Sequence, residues 1–158
     1  MTIQVGDRVP DGVMKTMGPD GATTIDADAL FSGKRVVLFG VPGAFTPTCD
    51  REHLPGYLGA AEAISAKGFD TIACMSVNDV WVMHAWGERH EVGCDVLMLA
   101  DGSADYTRAL GLELDLTGAG MGMRCKRFSL VVQDGVVESV NIDSKGLDAT
   151  TAQSTCGF

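Results

Sequence analysis

The chain is short of positive charge. Among its 158 residues, 12 lysines and arginines stand against 21 aspartates and glutamates, a formal net charge of −9 at pH 7. That balance denies it the positive field that gathers nucleic-acid phosphates or anionic lipid, so neither nucleic acid nor membrane is expected as a partner. Long apolar runs are missing too: nothing approaches the roughly 18 residues of a spanning helix. The start, MTIQVGDRVPDG, has no basic segment followed by an apolar one, which reads as a cytoplasmic protein. No repeat, low-complexity tract or long linker interrupts the chain, so residues 1–158 read as one domain, and an apolar content of 46% is enough for its core. Cysteine occurs five times, at Cys49, Cys74, Cys94, Cys125 and Cys156. The number is odd and no pair has C-x-x-C or zinc-ribbon spacing, which argues against a disulfide scaffold and a zinc site.

What is present is an alternation of strand and helix. RVVLFGV (35–41), TIACMSV (71–77) and VLMLA (96–100) are apolar, β-branched runs without polar alternation, as expected of strands covered on both faces. Between the first two, residues 51–70 carry Tyr57, Ala61 and Ile64 at helical spacing and stop at Lys67-Gly68. Pro55 predicts a kink near the start of that helix, because it lacks an N–H and crowds the preceding turn. Asn78-Asp79 offers an N-cap to a second helix, with Val80, Met83, His84 and Gly87 along one stripe, and a third is expected over Asp101 to Leu110. Asp134-Gly135 lies between two β-rich runs as a hairpin turn. Ahead of the first central strand, GATTIDADALFSGKR offers a short edge strand and a turn. The expected architecture is α/β: a thioredoxin-like fold with a central mixed sheet, flanking helices and N-terminal additions.

The segment VPGAFTPTCD (41–50) follows the first central strand, where open α/β sheets carry their sites. If the helix begins near Pro47-Thr48, Cys49 lies in its first turn, where free N–H groups and the macrodipole favour a thiolate. Thr46 stands at a capping position from which its hydroxyl can reach the Cys49 N–H or the sulfur, or merely cap the helix. Pro42 and Pro47 restrict the loop, and Gly43 permits close approach. From these residues alone Cys49 can be a nucleophile or a buried structural thiol.

PGAFTPTC, followed in order by HLPGY, SVNDVWVMHAW and RCKRFSLVVQDGVV, resembles the peroxiredoxin-5, or type II, branch of the peroxiredoxins over nearly the whole chain. Its P-x-x-x-T-x-x-C core is Pro42, Thr46 and Cys49. The resemblance implies a thiol peroxidase that reduces hydrogen peroxide and alkyl hydroperoxides without metal or organic cofactor. Cys49 would attack the peroxide and become a sulfenic acid. Thr46 would orient peroxide and thiolate, Pro42 would shield the pocket, and the family's arginine maps onto Arg127. The implied partners are peroxide substrates, a thiol reductant such as glutathione, glutaredoxin or thioredoxin, and a second copy of the chain. Phe45, Trp81 and Trp86 are the candidate aromatics of that homodimer.

Cys74 is the candidate resolving cysteine by the same resemblance, although its strand setting is equally that of a core thiol. Cys125, among Arg124, Lys126 and Arg127 and expected on the same strand face as Arg127, is a second candidate. Cys156 lies near the end expected to be mobile, and Cys94 reads as inert core. Arg124 reads as a solvated surface charge, and His53, His84 and His90 as structural. A disulfide oxidoreductase is disfavoured because Thr46 occupies the place of a first motif cysteine. The alternative function is a redox sensor that uses Cys49 without sustained turnover.

Overall fold

A computed structural model describes residues 1–158. The chain opens with an antiparallel hairpin, β1 (Val13–Gly18) and β2 (Gly21–Asp26), and a short helix α1 (Ala27–Phe31). Next come β3 (Arg35–Gly40), helix α2 (Leu54–Ala66), β4 (Thr71–Ser76), α3 (Val80–Arg89), β5 (Leu97–Ala100) and α4 (Asp105–Leu110). A two-stranded ribbon, β6 (Glu113–Leu116) and β7 (Gly122–Cys125), precedes the hairpin β8 (Arg127–Gln133) and β9 (Val136–Asp143), and α5 (Ala152–Cys156) closes the chain.

Seven strands form one mixed sheet in the order β2-β1-β5-β4-β3-β8-β9, and β6-β7 stand apart from it. The centre is parallel, with Phe39 opposite Cys74 and Cys74 opposite Met98. Apolar residues fill both faces because β3 and β4 are covered on both. Val37, Phe39 and Cys74 join one core with residues of α2, α3 and α5, while Val36, Leu38 and Ala73 join the other with residues of α1 and α4. This is the thioredoxin-like arrangement that the strand pattern predicts. At the β8–β9 turn Asp134 and Gly135 have φ of 47° and 78°, the two left-handed residues of a tight hairpin. No helix is long and apolar enough to cross a membrane.

Several local expectations change. In α3 the buried residues are Val80, Met83, Trp86 and Gly87, and His84 is exposed. The indole and not the imidazole completes the stripe, because the larger apolar area goes to the core. Asp79 caps this helix as expected, accepting from the Val82 N–H at 2.8 Å. Helix α4 begins at Asp105 and not at Asp101. Asp101 instead accepts from the backbone of Tyr106 and Thr107 at 3.1 and 2.7 Å, capping the helix from outside it. β1, α1, the β6–β7 ribbon and α5 have no counterpart in the sequence reading. Each is short: β1 and β7 show no regular apolar period, and the alternation of β6 runs over only four residues.

Candidate active site

After β3 the chain leaves the sheet through residues 41–48. Gly40 has to be a glycine: a Cβ there would lie 2.0 Å from the ring of Phe128, which packs across it from β8. The loop that follows is tied down on both sides. Ala44 donates to Asn78 Oδ1 at 3.0 Å, and Arg124 donates from Nη1 to the Pro42 carbonyl at 3.3 Å and from Nε to Met121 at 2.8 Å. Arg124 is therefore a half-buried brace of the loop and not the solvated charge expected; its fork spans two carbonyls of adjoining segments. Phe45 has φ of 65°, a left-handed conformation that the tied loop imposes on a bulky residue.

The helix begins at Pro47, and Asp50 donates to the Thr46 carbonyl at 2.8 Å, which leaves Cys49 inside the first turn. Pro55 produces no simple kink. The residues before it, Cys49–His53, form a π turn in which the Leu54 N–H reaches back to Cys49. A proline ring would crowd the carbonyl four residues earlier, and widening the turn relieves that conflict. The widened turn buries both Cys49 and His53. It is pinned to α3 at the next residue, where Asp50 Oδ1 accepts from Trp86 Nε1 and from His90 Nε2, each at 2.8 Å. Those bonds, from His90 first and Trp86 second, hold the Asp50 carboxyl below the usual carboxylate range.

Arg127, the first residue of β8, brings its guanidinium against this turn. Nη2 donates to Cys49 Sγ at 3.2 Å and Nη1 meets His53 Nδ1 at 2.8 Å. Only 1% of Cys49 and 9% of Arg127 is exposed, so the pair is screened by little water. Because arginine can only donate, His53 Nδ1 must accept, and Nε2 carries the proton that goes to the Thr150 carbonyl at 3.0 Å. Burial chiefly, and then the Arg127 charge against the opposing Thr150 bond, lowers the His53 pKa to about 4. A neutral ring is what the contact with the guanidinium requires.

The Thr150 carbonyl also accepts from the Tyr57 hydroxyl at 2.9 Å, and Tyr57 stacks on Phe39 at 3.9 Å. Asp143, opposite Arg127 in the β8–β9 register, holds the segment in place: its carboxylate accepts from the backbone of Asp148, Ala149 and Thr150 and from the Thr150 hydroxyl. Burial opposes its charge, yet these donors win and hold the Asp143 pKa at about 2. His53, Thr150 and Asp143 thus form a support for Arg127 that the sequence reading missed. The available signal was His53 four residues after Cys49, but its role depends on a carbonyl 97 residues away.

The remaining predicted residues separate. The Thr46 hydroxyl bonds neither the sulfur nor the Cys49 N–H; it donates to the Gly43 carbonyl at 2.6 Å, which leaves its oxygen free to accept. Pro42 lies with Thr48 and Arg127 in the wall of a cleft of about 390 Å³. All five cysteines are free. Cys74 is fully buried in β4, in the same core as Cys49, and burial pushes its thiol well above the ordinary value. Cys125 does not share a face with Arg127, because β7 ends at Cys125 and β8 begins beyond Lys126. It joins the opposite core, donates to the Val41 carbonyl at 3.2 Å, and burial pushes its pKa up to about 12. Cys156 is no tail residue; it is packed in α5, and burial raises it to about 11. Cys94 is exposed and not core, since it lies in the turn region between α3 and β5. Trp86 is spent internally on Asp50, while Phe45 and Trp81 are 46% and 68% exposed. His84 is exposed.

A buried thiol at a helix start, faced by a guanidinium at the end of a thioredoxin-like sheet, is the kind of setting a cysteine-based redox enzyme needs. The Redoxin family model matches residues 4–153. Peroxiredoxin-2D of Arabidopsis thaliana is 47% identical over 145 residues, covering 91% of this chain and 90% of its own. The structure of reduced Prx3 from Vibrio vulnificus in complex with hydrogen peroxide superposes with a TM-score of 0.93 at 44% identity, covering 97% of this chain and 96% of the other. Peroxiredoxin 5 from Alvinella pompejana gives 0.81 at 35% identity, covering 90% of each chain. The chain belongs to the peroxiredoxins, in the type II or peroxiredoxin-5 branch, and is a thiol-dependent peroxidase.

Proposed function

We propose that Cys49 is the nucleophile, that Arg127, Thr46 and Pro42 serve it, and that the oxidised sulfur is reduced by a thiol from outside the chain. The contact of Arg127 Nη2 with Cys49 Sγ at 3.2 Å carries this reading. As thiolate, Cys49 attacks one oxygen of hydrogen peroxide or an alkyl hydroperoxide. The S–O bond forms as the O–O bond breaks, and water or alcohol leaves after taking a proton. The sulfur, oxidised by two electrons, remains as sulfenic acid. Negative charge passes from sulfur to the departing oxygen, and a fixed guanidinium with donors to spare stabilises both ends. The free lone pairs of Thr46 Oγ1 accept the peroxide O–H, which orients it, and Pro42 keeps water from the wall beside the sulfur.

For the second half-reaction, the setting of Cys74 supports an external reductant such as glutathione or glutaredoxin. A thiol with no exposure in a central strand is protonated, and bridging it to the helix start requires local unfolding. Intact-mass measurement after one equivalent of peroxide tests the assignment. One added oxygen is expected in wild type and in Cys74→Ser, and none in Cys49→Ser. Loss of two hydrogens in wild type, absent from Cys74→Ser, would make Cys74 the resolving residue. Cys49→Ser turning over peroxide at the wild-type rate would sink the whole assignment. A homodimer through the exposed Phe45 and Trp81 belongs to the same proposal; sedimentation should show twice the chain mass, and Trp81→Glu should return it to monomer.

A further inference from the structure

Leu114 and Leu116 of the ribbon strand β6 and Ile142 of β9 are three aliphatic side chains outside both cores. All three line the cleft beside Arg127, together with Lys126 and Lys145. Strand alternation explains the lining. It turns the two leucines toward the cleft and leaves Glu113 and Asp115 exposed on the other side of β6. The ribbon pairs with no strand of the main sheet, and its two leucines line this cleft.

The charge is as one-sided as the surface is apolar. Neither lysine ammonium has a hydrogen-bond or ion-pair partner within the chain. The one acid in the lining, Asp143, is already engaged by four donors. In a protein of net charge −9, three of its 12 basic residues border this space. The volume, about 390 Å³, exceeds what hydrogen peroxide needs and lies in the range of clefts that take small organic ligands.

We propose that the cleft is a specificity site for alkyl hydroperoxides that carry a carboxylate: the hydroperoxide at Cys49, the chain along Leu114, Leu116 and Ile142, and the carboxylate at Lys126 and Lys145. The proposal rests on Cys49 being the peroxide nucleophile. The reaction stays the same: Cys49 gains an oxygen, the O–O bond breaks, and the hydroxy acid leaves after taking a proton. A thiol reductant then restores the sulfur.

The test compares a medium-chain hydroperoxy carboxylic acid with its methyl ester, each normalised to hydrogen peroxide on the same protein. The acid should have the lower KM in wild type. Lys145→Glu and Lys126→Gln should each raise the acid's KM by about two- to fivefold relative to the ester, and high salt should shrink the preference. Lys145 is exposed on a loop, so its replacement does not threaten folding. Equal KM values for acid and ester in wild type would overturn the proposal. So would variants that raise the KM for glutathione while the acid preference stays intact, since the cleft would then serve the reductant. Binding of the corresponding hydroxy acid to Cys49→Ser, followed by calorimetry, separates the two readings. Loss there in Lys145→Glu supports the carboxylate site whatever the turnover, whereas failure of hydrogen peroxide reduction bears on Cys49 alone.

Discussion

The turn at Cys49, the interior of β4 at Cys74 and the end of β7 at Cys125 bury their thiols to the same degree, 1% exposed against none, yet they surround them differently. At Cys49 the nearest polar group is a guanidinium, itself held by a neutral histidine. At Cys125 it is a carbonyl, which engages the proton of the thiol, whereas Cys74 is packed within the apolar core. Burial alone makes a cysteine an inert hydrophobe. The same burial around a fixed cation strengthens the cation's hold on a negative sulfur, because little water competes. On the proposed reading, the reactivity of Cys49 depends on the start of strand β8, which supplies Arg127, as much as on the helix that supplies the thiol.

The comparison can be broken in order of effect. Removing the sulfur in Cys49→Ser should lower peroxide reduction by at least about a thousandfold, measured as peroxide consumed with excess thiol. Arg127→Gln should cost about a hundred- to a thousandfold in kcat/KM by removing the charge at both the sulfur and the leaving oxygen. Retained activity above a tenth of wild type would mean that the guanidinium is only structural.

His53 gives a pH signature. Its folded-state pKa of about 4 lies below the ordinary 6.5, so between those values the unfolded chain binds a proton that the folded chain refuses. Stability should therefore fall as pH drops from 6.5 to 4, by roughly 3 kcal/mol from this group, read from urea midpoints. His53→Asn should flatten that slope. Asp143, with its pKa held at about 2, contributes stability that is lost only as pH falls from the ordinary carboxylate range toward 2, so the two windows separate. Smallest of all, Cys74→Ala should change the rate of Cys49 oxidation by less than about twofold and stability by about 1 kcal/mol, measured by stopped-flow and urea unfolding. A tenfold fall in the oxidation rate would mean that the two thiols are coupled.

The central strands and the helix after Pro47 were legible because buried parallel strands and a long helix carry strong local patterns. The meeting of Cys49 with Arg127 was anticipated through a resemblance in which their order and spacing recur. His53 was visible only as a residue four beyond Cys49, and nothing local assigned its two ring nitrogens to Arg127 and Thr150. Arg124 was misread for a related reason: besides the nearby Met121 carbonyl, its half-buried place depends on the Pro42 carbonyl 82 residues away, which no window around residue 124 reveals. Cys94 was misread as core from its apolar neighbours, yet the turn before β5 leaves it outside.

By itself the sequence determined that a lone cysteine would stand at a helix start beyond the first central strand, without a motif partner and without a metal pattern, because these are matters of local spacing. Only the tertiary structure decided which of four buried thiols faces a cation, because that contact joins residues 78 positions apart through the antiparallel placement of β8 beside β3. The β8–β9 hairpin sets Asp143 opposite Arg127, and Asp143 in turn holds the segment whose Thr150 carbonyl meets His53.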